Sequence, residues 1–233
     1  SSSTPLASTG FQHADKAYSA DCPGTQMSRT GSAASSGALA GCGRLGTDSM
    51  NKAAQHGPFA VDARSLAACG NRVTIDPSVR LFGDPAKLQI GDDVRIDSLC
   101  LISIGDQGIR IGRNVHIAAG CFIYGFGGRV TLEDFSGLSA RVTIYTASDD
   151  YRTGCLTNPT VDAAFRNLDR GPVRLEKHAI VGAGSVILPN TTIGFGAAVG
   201  ALTVIRKNVD PGSIVVGNPS RVIPGKRDLE KLR

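Results

Sequence analysis

From Ile75 onward an aliphatic residue returns every six positions. Ile90, Ile96 and Ile102 form one triplet, Ile111, Ile117 and Ile123 the next, and Leu132, Leu138 and Ile144 a third. After a gap come Leu175, Val181 and Ile187, then Ile193, Val199 and Ile205, while Ile75 and Leu81 precede the first triplet. A second column, four places after the first, is small or β-branched: Val94, Cys100, Val115, Cys121, Ser136, Val142, Ala179, Ser185, Thr191, Ala197, Thr203 and Val209. A fixed hexapeptide period predicts a parallel β-helix. Three hexads close one triangular coil. The aliphatic residue points into the prism, and the residue four later is small because it sits inside near a corner. Coils stacked about 4.8 Å apart satisfy each other's backbone. Burial of the aliphatic column, at roughly 1.5–3 kcal/mol per side chain, supplies most of the driving force. Cys100 and Cys121 fall in the inward column and read as packing residues.

The interruptions are regular too. Leu81 to Ile90, Ile102 to Ile111 and Ile123 to Leu132 each span nine residues instead of six, so three extra residues enter at one corner of successive coils. At that same corner Ile144 to Leu175 spans 31 residues. A row of small bulges, Gly125-Phe126-Gly127-Gly128 among them, thus leads to one long loop at about 148–173. A long loop on a rigid solenoid is where function concentrates, and the aligned bulges suggest a groove beside it.

Upstream, the pattern vanishes. Residues 1–50 hold ten Ser, eight Ala and seven Gly, with no valine before Val61 and no isoleucine before Ile75. Such a segment buries too little apolar surface to offset its ordering entropy. Residues 1–57 are therefore expected to be a disordered tail, 58–226 the β-helix and 227–233 a short C-terminal tail. Leu39-Ala40-Gly41-Cys42 has the form of a lipoprotein cleavage box, but the residues before it are too polar to enter a membrane. Met50 is a candidate start, with residues 1–49 then an upstream extension.

Composition narrows the function classes. The 233 residues include 29 glycines and no tryptophan, and aromatics make up only 5%. That suits tight turns and close-packed strands over long helices. The net charge of +5 comes without a Lys/Arg run, and aromatics are too few to stack bases, which argues against nucleic-acid binding. No stretch approaches the roughly 18 apolar residues of a membrane span. The six cysteines show no C-x-x-C spacing, so no zinc or thioredoxin-like site is signalled, and reduced thiols in the cytoplasm are expected.

From Val73 to Val222 the chain resembles the hexapeptide-repeat acyltransferases. The most specific stretches are Ile180-Val-Gly-Ala-Gly-Ser-Val-Ile-Leu-Pro189, Val199-Gly-Ala-Leu-Thr-Val-Ile-Arg-Lys207 and Val216-Gly-Asn-Pro-Ser-Arg-Val-Ile223. Val142-Thr-Ile-Tyr-Thr-Ala-Ser-Asp-Asp-Tyr151, with Thr157-Asn-Pro-Thr160, is similar to the sugar O-acetyltransferase branch, galactoside and maltose acetyltransferases included. The resemblance implies an all-β, left-handed parallel β-helix, a homotrimer, and acetyl-CoA lying between adjacent prisms. It implies acetyl transfer to a sugar hydroxyl, as in surface polysaccharide biosynthesis. By position it assigns Ala183 to the thioester end of the donor, Ala201 to the pantetheine amides, Arg206 and Lys207 to the adenosine end, and Arg221 to the CoA phosphates. These residue types suit thin pantetheine and anionic phosphates.

One departure bears on the chemistry. The family usually places a catalytic histidine just after the strand that precedes the long loop. Here that stretch, Thr146 to Tyr151, has none, and Asp149 or Asp150 occupies the matching place. A carboxylate of ordinary pKa, near ~3.9, is a poor base for an alcohol unless burial raises it. Of the four histidines, His13 and His56 lie in or beside the tail, His116 precedes the inward Ile117 and so points outward, and His178 sits at a corner. His116 and His178 remain candidate bases facing a neighbouring prism, with surface packing the competing role. A sugar-amine N-acetyltransferase is the alternative, because a neutral amine needs less help from a base. A zinc hydro-lyase would need three histidines and has only two within the repeat, so no metal is expected. A non-catalytic solenoid that has lost its base is the remaining class.

Overall fold

The computed structural model describes residues 61–232. The expected tail at 1–57, with His13, His56, the Leu39–Cys42 box and Met50, lies outside the described residues or at their edge.

The described chain is a left-handed parallel β-helix with three faces. The first face stacks Ala68–Cys69, Leu88–Ile90, Ile109–Ile111, Val130–Leu132, Val173–Leu175 and Thr191–Ile193. The second carries Thr74–Ile75, Arg95–Ile96, His116–Ile117, Gly137–Leu138, Ile180–Val181, Ala198–Val199 and Ser213–Val216. The third carries Arg80–Gly83, Leu101–Ile104, Phe122–Tyr124, Thr143–Tyr145, Val186–Ile187 and Val204–Ile205. Every pairing between these strands is parallel. The register jumps by 21 residues per coil where the bulges occur, as between Arg113 and Asp134. It falls to 18 beyond the loop, as between Ser185 and Thr203.

Both inward columns are where the hexad pattern puts them. Sixteen of the seventeen aliphatic residues are buried, and Ile75, in the second-face strand nearest the described N-terminus, is half-buried. All twelve members of the second column are buried as well. Of its hydroxyls, those of Ser185, Thr191 and Thr203 bond to nearby backbone, while Ser136 Oγ is buried with no partner. Ser185 Oγ donates to Gly200 O at 2.9 Å and accepts from Thr203 N at 3.2 Å. Cys100 and Cys121 donate to Ala118 O and Ser139 O, each at 3.2 Å. Cys69, Cys100 and Cys121 are free thiols.

At the corner between the third and first faces the bulges pack backbone on backbone. A Cβ on Gly105 would lie 2.1 Å from Gly125 O, and one on Gly127 the same distance from Thr146 O. Glycine is therefore required there by close approach. Thr146 closes the row, its Oγ1 donating to Tyr124 O at 2.8 Å and accepting from Gly127 N at 2.9 Å. The long loop that follows is an arm with structure of its own. Ala147–Asp149 pairs antiparallel with Leu168–Arg170, and Asp162 caps the short 3-10 turn Ala163–Phe165. The arm returns where Gly171 N donates to Thr146 O at 2.9 Å.

The C-terminus folds back. Arg221–Lys226 pairs antiparallel with Ser213–Val216. Beyond it, Arg227 Nη1 donates to His178 O at 2.9 Å and Gly196 O at 3.0 Å. Leu229 rests on Gly196, where a Cβ would come within 2.6 Å of it.

Candidate active site

The arm builds a corner unlike any other on the prism. On its apolar side, aromatic residues of the third face stack, both between coils and along one strand. Tyr124 and Tyr145 have ring centroids 5.0 Å apart and planes within 12° of parallel, and Phe122 stacks on Tyr124 at 6.3 Å. The two tyrosine rings, with Phe126, Leu168 and Leu188, line a cavity of about 450 Å³. On the polar side lies a second cavity of about 340 Å³, lined by Asp150, Arg152, Asp169, Asn190 and Arg206 among others. Ser148, Asp149 and Leu188 border both.

The two neighbouring aspartates have opposite environments. Asp150 is buried and fully engaged. Its Oδ1 accepts from Arg152 N at 2.9 Å, and its Oδ2 accepts from Thr153 Oγ1 and Asn167 Nδ2, each at 2.9 Å. The Arg152 amide, then the Thr153 hydroxyl and the Asn167 amide, hold its carboxyl below the usual aspartate value. Its geometry ties the arm together. Asp149 ends the first strand of the arm, and its Oδ2 accepts from Asn158 N at 3.3 Å. Its Oδ1 is buried and has no hydrogen-bond partner. An unpaired buried acceptor costs about 1–3 kcal/mol, which a donor on a bound molecule would recover.

His116 is elsewhere. It stands outward on the second face, half-exposed, with Nε2 2.8 Å from Asp97 Oδ2, while Asp97 Oδ1 accepts from Arg95 Nε at 2.6 Å. Hydrogen bonds from His116 and then Arg95 lower the Asp97 pKa. His116 borders neither cavity of the arm. His178 is stacked on Phe135 at 5.0 Å and meets Phe195 edge-on, which is a packing role.

The residues that the resemblance assigns to the donor separate into groups. Ala183 and Ala201 are exposed on adjacent coils at the corner between the second and third faces, where Leu202 N donates to Ala183 O at 2.9 Å. The glycines beside them are small for another reason: a Cβ on Gly182 would meet the Gly200–Ala201 backbone at 2.4 Å. The exposed alanines leave the low wall that a thin pantetheine arm would need. Arg221 is exposed at the mouth of the C-terminal hairpin, paired with Val216, and Lys207 is exposed after the last third-face strand. Arg206 lies across the third face from the alanines, in the polar cavity of the arm. Among the described residues no group of side chains could hold a metal ion, and no helix is long and apolar enough to cross a membrane.

Sequence reasoning missed Tyr124, Tyr145, Arg95, Asp97 and Arg152. The first four were within reach once a coil of 21 residues is recognised: Tyr124 falls beneath Tyr145, and Arg95 pairs with His116. Arg152 had no such signal, because it lies inside the non-repeating arm.

Comparison with known proteins agrees with this architecture. Residues 87–124 match a family model described as the hexapeptide repeat of succinyl-transferase. Over 154 residues the chain is 36% identical to a dTDP-4-amino-4,6-dideoxy-D-glucose acyltransferase of Escherichia coli, covering 66% of this chain and 79% of that protein. A nodulation protein L of Rhizobium meliloti is 38% identical over 114 residues, of which this chain spans 58% of the relative's length. Among solved structures, AntD, an N-acyltransferase from Bacillus cereus in complex with dTDP and 3-hydroxybutyryl-CoA, superposes with a TM-score of 0.66 at 34% identity, covering 72% of this chain and 89% of that one. A variant of AntD in complex with dTDP-4-amino-4,6-dideoxyglucose and coenzyme A gives 0.68 at 36% identity, over 72% of this chain and 88% of that one.

Proposed function

The chain belongs to the hexapeptide-repeat acyltransferases, and from that premise we propose that it transfers an acyl group from an acyl-CoA, acetyl-CoA included, to the amino group of a nucleotide-linked sugar. The observation that carries this reading is Asp149, whose buried Oδ1 lacks a donor at the junction of two cavities. The donor that this oxygen lacks would come from the acceptor's nucleophile, an amine N–H or a hydroxyl O–H. The kinship to an amino-sugar acyltransferase and to AntD supports the amine over the hydroxyl that the sequence resemblance suggested.

In this reading the sugar amine is held as a neutral nucleophile against Asp149. Its nitrogen attacks the thioester carbonyl, the carboxylate takes the N–H proton as the C–N bond forms, and as the C–S bond breaks that proton passes on to the sulfur, so that CoA leaves as its thiol. Asp150, already holding three donors, keeps the arm in place so that Asp149 stays aimed. Ala183 and Ala201 flank the pantetheine, and Arg221 with Lys207 meets the phosphates. His116 plays no part in the proton transfer within one chain. The active assembly in this reading is a homotrimer in the cytoplasm, supported by the outward apolar residues Phe122 and Ile180, which are 37% and 45% exposed.

The test is an acceptor panel with acetyl-CoA and 3-hydroxybutyryl-CoA, followed by mass spectrometry. A dTDP-linked 4-amino sugar should be acylated at nitrogen, and its 4-hydroxy counterpart should not. Preferential acylation of the hydroxyl sugar would overturn the reading. Sedimentation of a monomer alone at micromolar concentration would remove the shared-site part of it.

A further inference from the structure

We propose that Arg206 reads the diphosphate of the acceptor, with Arg152 as a second cationic wall, and does not belong to the donor's adenosine end. This rests on the nucleotide-sugar reading above and adds to it the residue that selects a nucleotide-linked substrate.

The argument begins with position. Arg206 directly follows the strand Val204–Ile205, and Leu188 N donates to Ile205 O at 3.0 Å. Leu188 and Arg206 are thus neighbouring outward rungs of the third face. Leu188 borders both cavities, so Arg206 stands one rung from the junction where Asp149 keeps its unpaired oxygen. The alanines of the donor track occupy the opposite edge of the same face.

Charge gives the second argument. Arg206 is exposed and has no ion-pair partner among the described residues, although three aspartates line the same cavity. Those carboxylates all sit on the arm, whereas Arg206 rises from the prism. Asp150 is filled by its three donors. Asp169 is mostly exposed and approaches Arg152 only at 3.9 Å. Arg152 itself is loosely held, 3.8 Å from Asp150, with 75% of its side chain exposed. One guanidinium without an ion pair among the described residues, Arg206, and one held only by two long ion pairs, Arg152, therefore border one cavity, and such groups suit the paired oxygens of a phosphate.

The covalent layout of the substrate fits. In a nucleotide 4-amino sugar the amine and the diphosphate are attached at opposite ends of one sugar ring. With the amine at Asp149, the diphosphate falls one ring away within the same 340 Å³ cavity, which Arg206 lines. The apolar cavity beyond Tyr145 and Leu188 then remains for the acyl end of the donor.

The test uses the full chain and dTDP alone as probe, read by titration calorimetry, beside steady-state kinetics. Arg206→Ala should weaken dTDP binding roughly ten- to a hundredfold and raise KM for the dTDP-amino sugar similarly, with coenzyme A affinity within about twofold of wild type. Arg206→Lys should recover part of the loss, and Arg152→Ala should show a smaller one. Because both side chains are exposed, melting temperatures should not change. Unchanged dTDP affinity in Arg206→Ala, a wild type that does not bind dTDP, or a loss of coenzyme A affinity instead would each overturn the proposal. Acylation of the free amino sugar that still depends on Asp149 would leave the N-acyltransfer reading standing while this assignment falls.

Discussion

The interior of the prism and the corner that carries the arm are built on opposite principles. Inside, one interaction is repeated: an aliphatic side chain stacked on its counterpart one coil away, with small residues bonded to the nearest corner carbonyl. Ser185 and Thr203 show how a hydroxyl is absorbed there, since each both donates and accepts, whereas Ser136 Oγ in the same column is buried with no partner and carries no charge. At the arm the repeat stops, strands run antiparallel, and a buried carboxylate oxygen is left without a donor. A stack of near-identical coils spreads its stability over many equivalent contacts. One irregular insertion can then carry an unsatisfied group whose partner is a substrate.

Breaking the contrast at its most functional point should have the largest effect. Asp149→Asn should lower kcat on an amino-sugar acceptor by about 10²–10⁴-fold, the usual range for losing a general base, while the melting temperature holds. A kcat within a fewfold of wild type would show that the proton leaves by another route. The converse substitution lies in the interior. Ile123→Ala, at a fully buried position, should cost about 2–5 kcal/mol in urea unfolding, with little change in kcat for the molecules that remain folded. A mild loss would mean that neighbouring coils collapse into the gap more readily than close packing allows.

Two smaller effects sharpen the picture. Arg221→Ala, on the exposed hairpin, should weaken CoA roughly ten- to a hundredfold. If Arg221 meets the 3′-phosphate, dephospho-CoA should bind wild type and variant about equally, and unchanged CoA affinity would remove the assignment. The smallest effect is expected for Asp150→Asn, read by limited proteolysis of the arm against pH. The Asp150 pKa is lowered in the folded state. Its contribution is therefore full above the ordinary aspartate value near ~3.9 and is lost as pH falls through the folded value. Wild type and variant should differ in arm protection at neutral pH and converge in acid. A difference that persists at low pH would assign the effect to shape and not to charge.

The repeat was legible because each hexad reports its own environment. Ile117 points inward whatever the rest of the chain does, so period alone located the faces, the bulged corner and the site of the arm. The resemblance led to Asp149 and Asp150 as a pair but could not rank them. Their roles depend on Thr153, Asn158 and Asn167, which reach the two carboxylates only after the arm has closed. His116 is a candidate base only toward a neighbouring prism. Its partner Asp97, and the distance that keeps it from both cavities of its own arm, emerge only when the coils are stacked.

What the sequence determined by itself was everything with a period: the triangular coil, the inward columns, the aligned bulges and the corner from which the long insertion leaves. Such features are set by local alternation and repeated burial, so they can be read one coil at a time. What tertiary structure decided was which carboxylate stays unsatisfied, that Tyr124 and Tyr145 form one wall, and that Arg206 borders the polar cavity of the arm. Those outcomes depend on pairings between residues of different coils, and on an arm whose course follows no period. Only closure of the arm against the prism brings these groups to one place.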